Sequence, residues 1–175
     1  VEAYWVKDAD AVFQEEYEDK KTGEKKVREK KDNTNCHMII VARTYNAMRK
    51  LNYILSCAHD TGFYYKPRID LKSLFTLNKD EVYITSACIA GWKYEDATEI
   101  WLKIWQHFGD SFFLEYQTHN THEQKALNKK IYEISKTFGI QTIIGLDTHY
   151  INEEDRIKRE NLLLRKGLHY DGEDG

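Results

Sequence analysis

The chain holds one proline, Pro67, and three cysteines in 175 residues, and each scarcity excludes something. Cys36, Cys57 and Cys88 are odd in number and show no Cys-x-x-Cys spacing, which argues against a disulfide framework and makes a reducing, cytoplasmic setting the expectation. No apolar run reaches the roughly 18 residues of a membrane span, and the amino end lacks the basic start and apolar core of a signal peptide. An excess of charge is missing too: 26 Lys and Arg stand against 29 Asp and Glu, a net of −3. A free-standing nucleic-acid binder would show a basic face, so the chain is not expected to be one. That leaves room for a domain that handles a nucleic-acid end within a larger assembly. What remains is ordinary for one globular domain with a real core: 41% hydrophobic, 13% aromatic and 31% charged residues.

The apolar patterning predicts alternating strands and helices. Ala3 to Val6 reads as a strand, with Glu2 at its entrance. Between Glu15 and Asp32 the composition changes to seven acidic and seven basic residues, with Thr22-Gly23 in the middle. This predicts a solvated β-hairpin, spanning about residues 13–35, with opposite charges across its strands. His37 to Ala42 is a second buried strand, and Thr44 caps a helix whose Met48, Leu51, Ile54, Leu55 and Ala58 share one face. Gly62 is expected to terminate that helix, and Asp70 to cap a short one. Glu81 to Ser86, Ser111 to Tyr116 and Ile140 to Gly145 read as further strands. Helices with stripes at Ile100, Trp101, Ile104, Trp105 and Phe108, and at Leu127, Ile131 and Ile134, separate them. Units of roughly 25 to 35 residues suit parallel crossovers, so the class is α/β with a mainly parallel sheet.

In such a sheet the carboxyl ends of the strands form one rim, where chemistry is usually placed. The rim should collect Cys88, then Glu115 and His119, then Asp147 and His149. Asp147 and His149 are two apart, so a strand-like course would point both to one side. Thiolate, imidazole and carboxylate are the ligand set of zinc and of mixed divalent clusters. Each residue has a plainer reading. Cys88 suits a small buried position, His59 the carboxyl end of its helix, and His119 and His122 a solvated loop.

Four segments in order resemble one family. They are Gly62-Phe63-Tyr64-Tyr65-Lys66-Pro67-Arg68-Ile69-Asp70, Ser86-Ala87-Cys88-Ile89-Ala90-Gly91, Phe113 to His119, and Asp147-Thr148-His149-Tyr150. Together with Val1-Glu2-Ala3-Tyr4 and the strand from His37 to Arg43, they resemble the polymerase-and-histidinol-phosphatase (PHP) domain. The similarity is to the version found at the amino terminus of bacterial DNA polymerase III alpha subunits. It implies part of a distorted, TIM-like (β/α)7 barrel over residues 1–170, interrupted by the charged hairpin, with a polar tail at 171–175. It also implies up to three divalent metal ions, zinc or manganese. By position Glu2, His59, Cys88, Asp147 and His149 match its metal ligands, Asp147 and His149 with a catalytic part. Arg68, Glu115 and His119 are candidates for supporting the site or contacting substrate, Arg68 either as a phosphate clamp or as an ion-pair partner of Asp70 or Glu99.

The resemblance further implies a metal-dependent phosphoesterase or 3′–5′ exonuclease site within a replicative DNA-directed DNA polymerase, a nucleotidyltransferase. The implied partners are DNA, the other polymerase domains and a proofreading subunit, with no membrane. Two rival expectations stand beside it: a non-catalytic structural and docking domain, and a free-standing metallophosphatase. The family's amino-terminal His-x-His has no counterpart here, so the sequence is expected to be an amino-terminally truncated fragment without activity of its own. Ala87 stands where the family has glycine and Leu146 where it has asparagine.

Overall fold

Alternation along the strands gives one sheet two chemically different faces. The computed structural model describes residues 1–167, so the polar tail expected at 171–175 lies outside the described residues. In chain order the strands are β1 (Glu2–Val6), β2 (Val12–Glu18), β3 (Lys25–Lys31), β4 (Cys36–Ala42), β5 (Phe63–Tyr64), β6 (Lys66–Asp70), β7 (Val82–Thr85), β8 (Phe112–Gln117) and β9 (Thr142–Gly145). The helices are α1 (Tyr45–Asp60), α2 (Leu71–Leu74), α3 (Ala97–Phe108), α4 (His122–Phe138) and α5 (Glu153–Arg165). Seven strands form the main sheet in the order β5-β6-β1-β4-β7-β8-β9. Register places Trp5 beside Cys36 and Ile69, Ala3 beside Met38, and Ile84 between Ile40 and Phe112. These side chains form one core with Leu51, Ile54, Ile100, Trp101, Ile104, Leu127 and Ile131 of α1, α3 and α4. Trp5, Trp101, Phe108 and Phe112 are essentially sealed from solvent. Each contributes roughly 1.5–3 kcal/mol of transfer free energy before the entropy of ordering it.

The opposite face carries the sheet's polar and ionisable residues, interspersed with apolar ones. Register puts Glu2 with Ile39, Tyr4 with His37 and Arg68, Thr85 with Ile39 and Phe113, and Glu115 with Ile143. Val41, Tyr83 and Ile143 on that face are exposed.

The sheet is mostly parallel, but not throughout. β1 is parallel to β6, and β7, β8 and β9 are parallel to one another, while β4 is antiparallel to both β1 and β7, and the short edge strand β5 is antiparallel to β6. The expected run of parallel crossovers therefore fails at β4. A parallel return needs a crossover, usually helical; here β1 and β4 are joined by the hairpin β2–β3 instead. The reversal brings the amino end of β4 to the rim where β1, β6, β7, β8 and β9 have their carboxyl ends.

Local signals behave largely as the sequence implies. Thr44 Oγ1 accepts from Ala47 N at 3.1 Å, Asp70 Oδ1 from Ser73 N at 2.8 Å and Thr121 Oγ1 from Gln124 N at 3.2 Å. The hairpin carries its opposite charges across strands: Glu15 meets Arg28 at 2.5 Å and Lys30 at 2.6 Å, and Asp19 meets Lys26 at 2.6 Å. Gly62 has a different role from the one expected. Thr61 closes α1 in a right-handed conformation, and a Cβ on Gly62 would lie 2.4 Å from the Arg68 carbonyl. Its bareness lets α1 and β6 approach each other. No helix among the described residues is long and apolar enough to cross a membrane.

Candidate metal centre

Glu2, His37 and Cys88 converge on the polar face. His37 Nδ1 lies 2.6 Å from Glu2 Oε1 and 3.5 Å from Cys88 Sγ. All three ligand atoms fall within 4.8 Å of one another. Atoms bound tetrahedrally to one ion at about 2.0–2.3 Å lie about 3.3–3.8 Å apart, so Glu2 and His37, 2.6 Å apart, would part slightly to seat a cation among the three. A carboxylate, an imidazole and a thiol also suit zinc and related divalent ions chemically.

Several neighbours hold the three in place. Trp5 Nε1 donates to the His37 carbonyl at 3.1 Å, and the Tyr4 ring meets the imidazole edge-on at 5.1 Å. Gly91 lets the turn after β7 press inward: a Cβ there would lie 2.3 Å from the Ser86 carbonyl and 2.8 Å from that of His37. Ala87, just before Cys88, has φ +52°, a left-handed backbone that costs an L-residue energy. Burial pushes the Cys88 thiol above its usual range, and the charges of Asp147 and Glu2 push it further, against a backbone hydrogen bond at Ala90. Asp147 is thus an electrostatic neighbour of the thiol.

Asp147 belongs to a second group. His119 Nε2 is 3.6 Å from Asp147 Oδ2, and His149 Nδ1 is 3.9 Å from Oδ1. The pair does not follow the strand-like course expected of it. β9 ends at Gly145, and Asp147 turns into the left-handed region at φ +49°. His149 Nδ1 then reaches the Asp147 backbone carbonyl at 2.6 Å. A carbonyl only accepts, so Nδ1 is the donor in this contact and Nε2 is left facing away from it.

The other candidates occupy different positions. Glu115 is buried on β8, with its carboxylate accepting from Thr85 Oγ1 and Gln117 Nε2. Arg68 is 2% exposed and donates to the carbonyls of Gly62 and Asp32, so it ties the hairpin base to the end of α1. It pairs with neither Asp70, which caps α2, nor Glu99. His59 is exposed on the last turn of α1 beside a surface groove with Asn52, Leu55, Ser56 and Asp60. It is not in the group formed by Glu2, His37 and Cys88.

His37 is the residue that sequence reasoning left out of the ligand set. If β4 is taken as parallel, its first residues lie at the wrong rim. The signal was available in the long polar hairpin before it, which makes an antiparallel return the simpler connection.

A sheet with a polar, ligand-bearing face and a helix-covered apolar one is a framework for a rim-mounted metal site. The PHP domain family model matches residues 1–119, and the chain belongs to that family. Among its relatives it is similar to the DNA polymerase III subunit alpha of Aquifex aeolicus, with 33% identity over 149 residues, 79% of this chain and 13% of the relative. It is likewise 33% identical over 129 residues to that of Borreliella burgdorferi, covering 68% of this chain and 11% of the relative. For that of Treponema pallidum the identity is 30% over 136 residues, 73% and 12% respectively. The chain thus spans only about an eighth of the length of these relatives.

Proposed function

We propose that the chain is the PHP region of a DNA polymerase III alpha-type protein and carries part of a metal-dependent phosphoesterase site. The convergence of Glu2, His37 and Cys88 carries the reading, and the relatives give it a replicative context. The open sheet, with β5 and β9 at its edges, is on this reading a section of the distorted (β/α)7 barrel.

Glu2, His37 and Cys88 would hold one ion, with Asp147 and His149 contributing from the adjacent turn. The ions would be zinc or manganese. When bound, such ions lower the pKa of a coordinated water and draw charge from a phosphoryl group. The chain's own part is defined by its donors. Glu2 and His37, in contact at 2.6 Å, would offer a carboxylate oxygen and a ring nitrogen to such a cation, and Cys88 would bind it as the thiolate. Asp147 would supply a carboxylate at the rim, and His149, its ring oriented by the Nδ1 contact to the Asp147 carbonyl, would present Nε2 there. Arg68 is committed to backbone carbonyls and supports the hairpin base. The substrate class is a phosphoester, in the polymerase setting a DNA 3′ end, with the other polymerase domains and a proofreading subunit as partners in the cytoplasm.

The test is release of 3′-terminal nucleotide from single-stranded DNA by the manganese- or zinc-supplemented chain and by the longer polymerase containing it. Activity in the longer protein that Asp147→Asn abolishes supports the reading. A metal-loaded, inactive longer protein would instead leave a structural, docking domain.

A further inference from the structure

We infer that Glu115 is a positioning residue, a buried strut that sets the spacing between the Cys88 turn and the Asp147 turn. The inference rests on the metal-site reading above and adds a residue outside the ligand group.

Glu115 sits on β8, between the strands that lead to those turns, with 3% of its surface exposed. A carboxylate buried so deeply needs directed partners. Oε2 accepts from the Thr85 hydroxyl and Oε1 from Gln117 Nε2 at 3.1 Å. Having given its one proton to Glu115, Thr85 Oγ1 accepts from the Ala87 N–H at 3.2 Å. The carboxylate is thereby linked, through one hydroxyl, to the left-handed residue that precedes Cys88. The Glu115 backbone N–H also donates to Ser86 Oγ at 2.9 Å, so the β7 exit is held twice.

On the other side the contact is steric. A Cβ on Gly145 would lie 1.9 Å from Glu115 Oε1 and 2.5 Å from its carboxyl carbon. Only glycine lets β9 rest against this side chain. Gly145 comes two residues before Asp147, which is also left-handed. One side chain therefore touches the segments that launch both rim turns. An apolar residue of similar length would fill the space without burying a charge. What the carboxylate adds is a directional bond to the β7 exit and a second, from Gln117 of its own strand, that fixes how it lies against Gly145, so one oriented group sets the spacing between the Cys88 and Asp147 turns.

The test uses the full chain in a Cys57→Ser background, where fully buried Cys36 leaves Cys88 as the reactive thiol. Cobalt(II) affinity, the iodoacetamide alkylation rate of Cys88 and the melting temperature are measured for Glu115→Leu, Glu115→Gln and Thr85→Val. Glu115→Leu is expected to weaken cobalt binding by roughly 10–100-fold, the range for residues that orient metal ligands. It should also change the alkylation rate several-fold. Glu115→Gln, whose carbonyl still accepts from Thr85, should recover most of both. A Glu115→Leu chain that melts lower yet keeps wild-type cobalt affinity and alkylation rate overturns the inference. If that variant does not fold, Thr85→Val carries the test, and wild-type values for both readouts overturn it equally. Should the parent chain bind no cobalt, the metal reading fails by itself. The alkylation rate then decides the strut: a changed rate supports it and an unchanged one refutes it.

Discussion

Replacing Gly91 by alanine tests whether the metal centre is held by close backbone packing. The added Cβ would meet the Ser86 carbonyl at 2.3 Å, the His37 carbonyl at 2.8 Å and Trp101 Cζ2 at 3.2 Å. Ordinary carbon–oxygen contact begins near 3.3 Å, so Ser86 or the turn must move by about 1 Å and His37 by about half that. Neither obstacle is a flexible side-chain end; both carbonyls are backbone. Overpacking of this kind typically costs about 1–3 kcal/mol, and the upper part of the range is expected because two rigid groups are struck. The same displacement separates Cys88 from His37, and a misplacement of about 1 Å can cost on the order of 100-fold in function. Gly139→Ala is the control. Its φ of +72° penalises alanine, but nothing lies within 4 Å of the new Cβ, so about 1–2 kcal/mol is lost and the centre is untouched. Urea unfolding gives the stabilities and cobalt titration the affinities. Gly91→Ala should lose both stability and affinity, and Gly139→Ala stability alone. A Gly91→Ala protein within 0.5 kcal/mol of the parent (roughly the limit for unremarkable surface changes) with unchanged affinity would refute the packing argument.

Three further outcomes follow from single residues. Ala87→Gly should be close to neutral, because relief of about 1–2 kcal/mol of left-handed strain offsets about 0.8 kcal/mol for a buried methyl and about 0.5–1 kcal/mol of chain entropy. Ala58→Gly, buried in α1 without such strain, should cost about 2 kcal/mol by the same unfolding assay. Asp32 is a pH probe: burial opposes its charge, but hydrogen bonds from Tyr94 and Thr34 and the charge of Arg68 hold its carboxyl below the usual 3.8. Its folded-state pKa is depressed, so its stabilisation is present above about pH 4 and lost as pH falls through the lower folded value. Asp32→Asn should therefore melt lower at neutral pH and show a shallower decline below pH 4, read from melting temperatures across pH 2.5–7.

The sequence reveals the parts of this architecture that are local. The α1, α3 and α4 stripes (except Met48 of α1, which is exposed while Ala47 is buried), the caps at Thr44, Asp70 and Thr121, and the charge-paired hairpin all depend on residues a few positions apart, where periodicity and turn chemistry act. Strand direction does not. Nothing within Cys36–Ala42 distinguishes an antiparallel strand from a parallel one, and the direction is set by what joins β1 to β4. That one reversal decides whether His37 faces Cys88. The turn at Asp147 is hidden for a related reason: the strand-like alternation up to Gly145 carries no sign that the backbone turns left-handed at Asp147. Glu115 was visible as a candidate, but its contact with Gly145 joins residues 30 apart in sequence and needs the β8–β9 register to be seen.

Cobalt(II) substitution tests the central claim most directly, because a thiolate bound to cobalt gives a charge-transfer absorption. The parent chain should show that band. Cys88→Ser and His37→Ala should abolish or strongly weaken it, and His59→Ala should leave it intact. Loss of the band in His59→Ala, with retention in His37→Ala, would contradict the account.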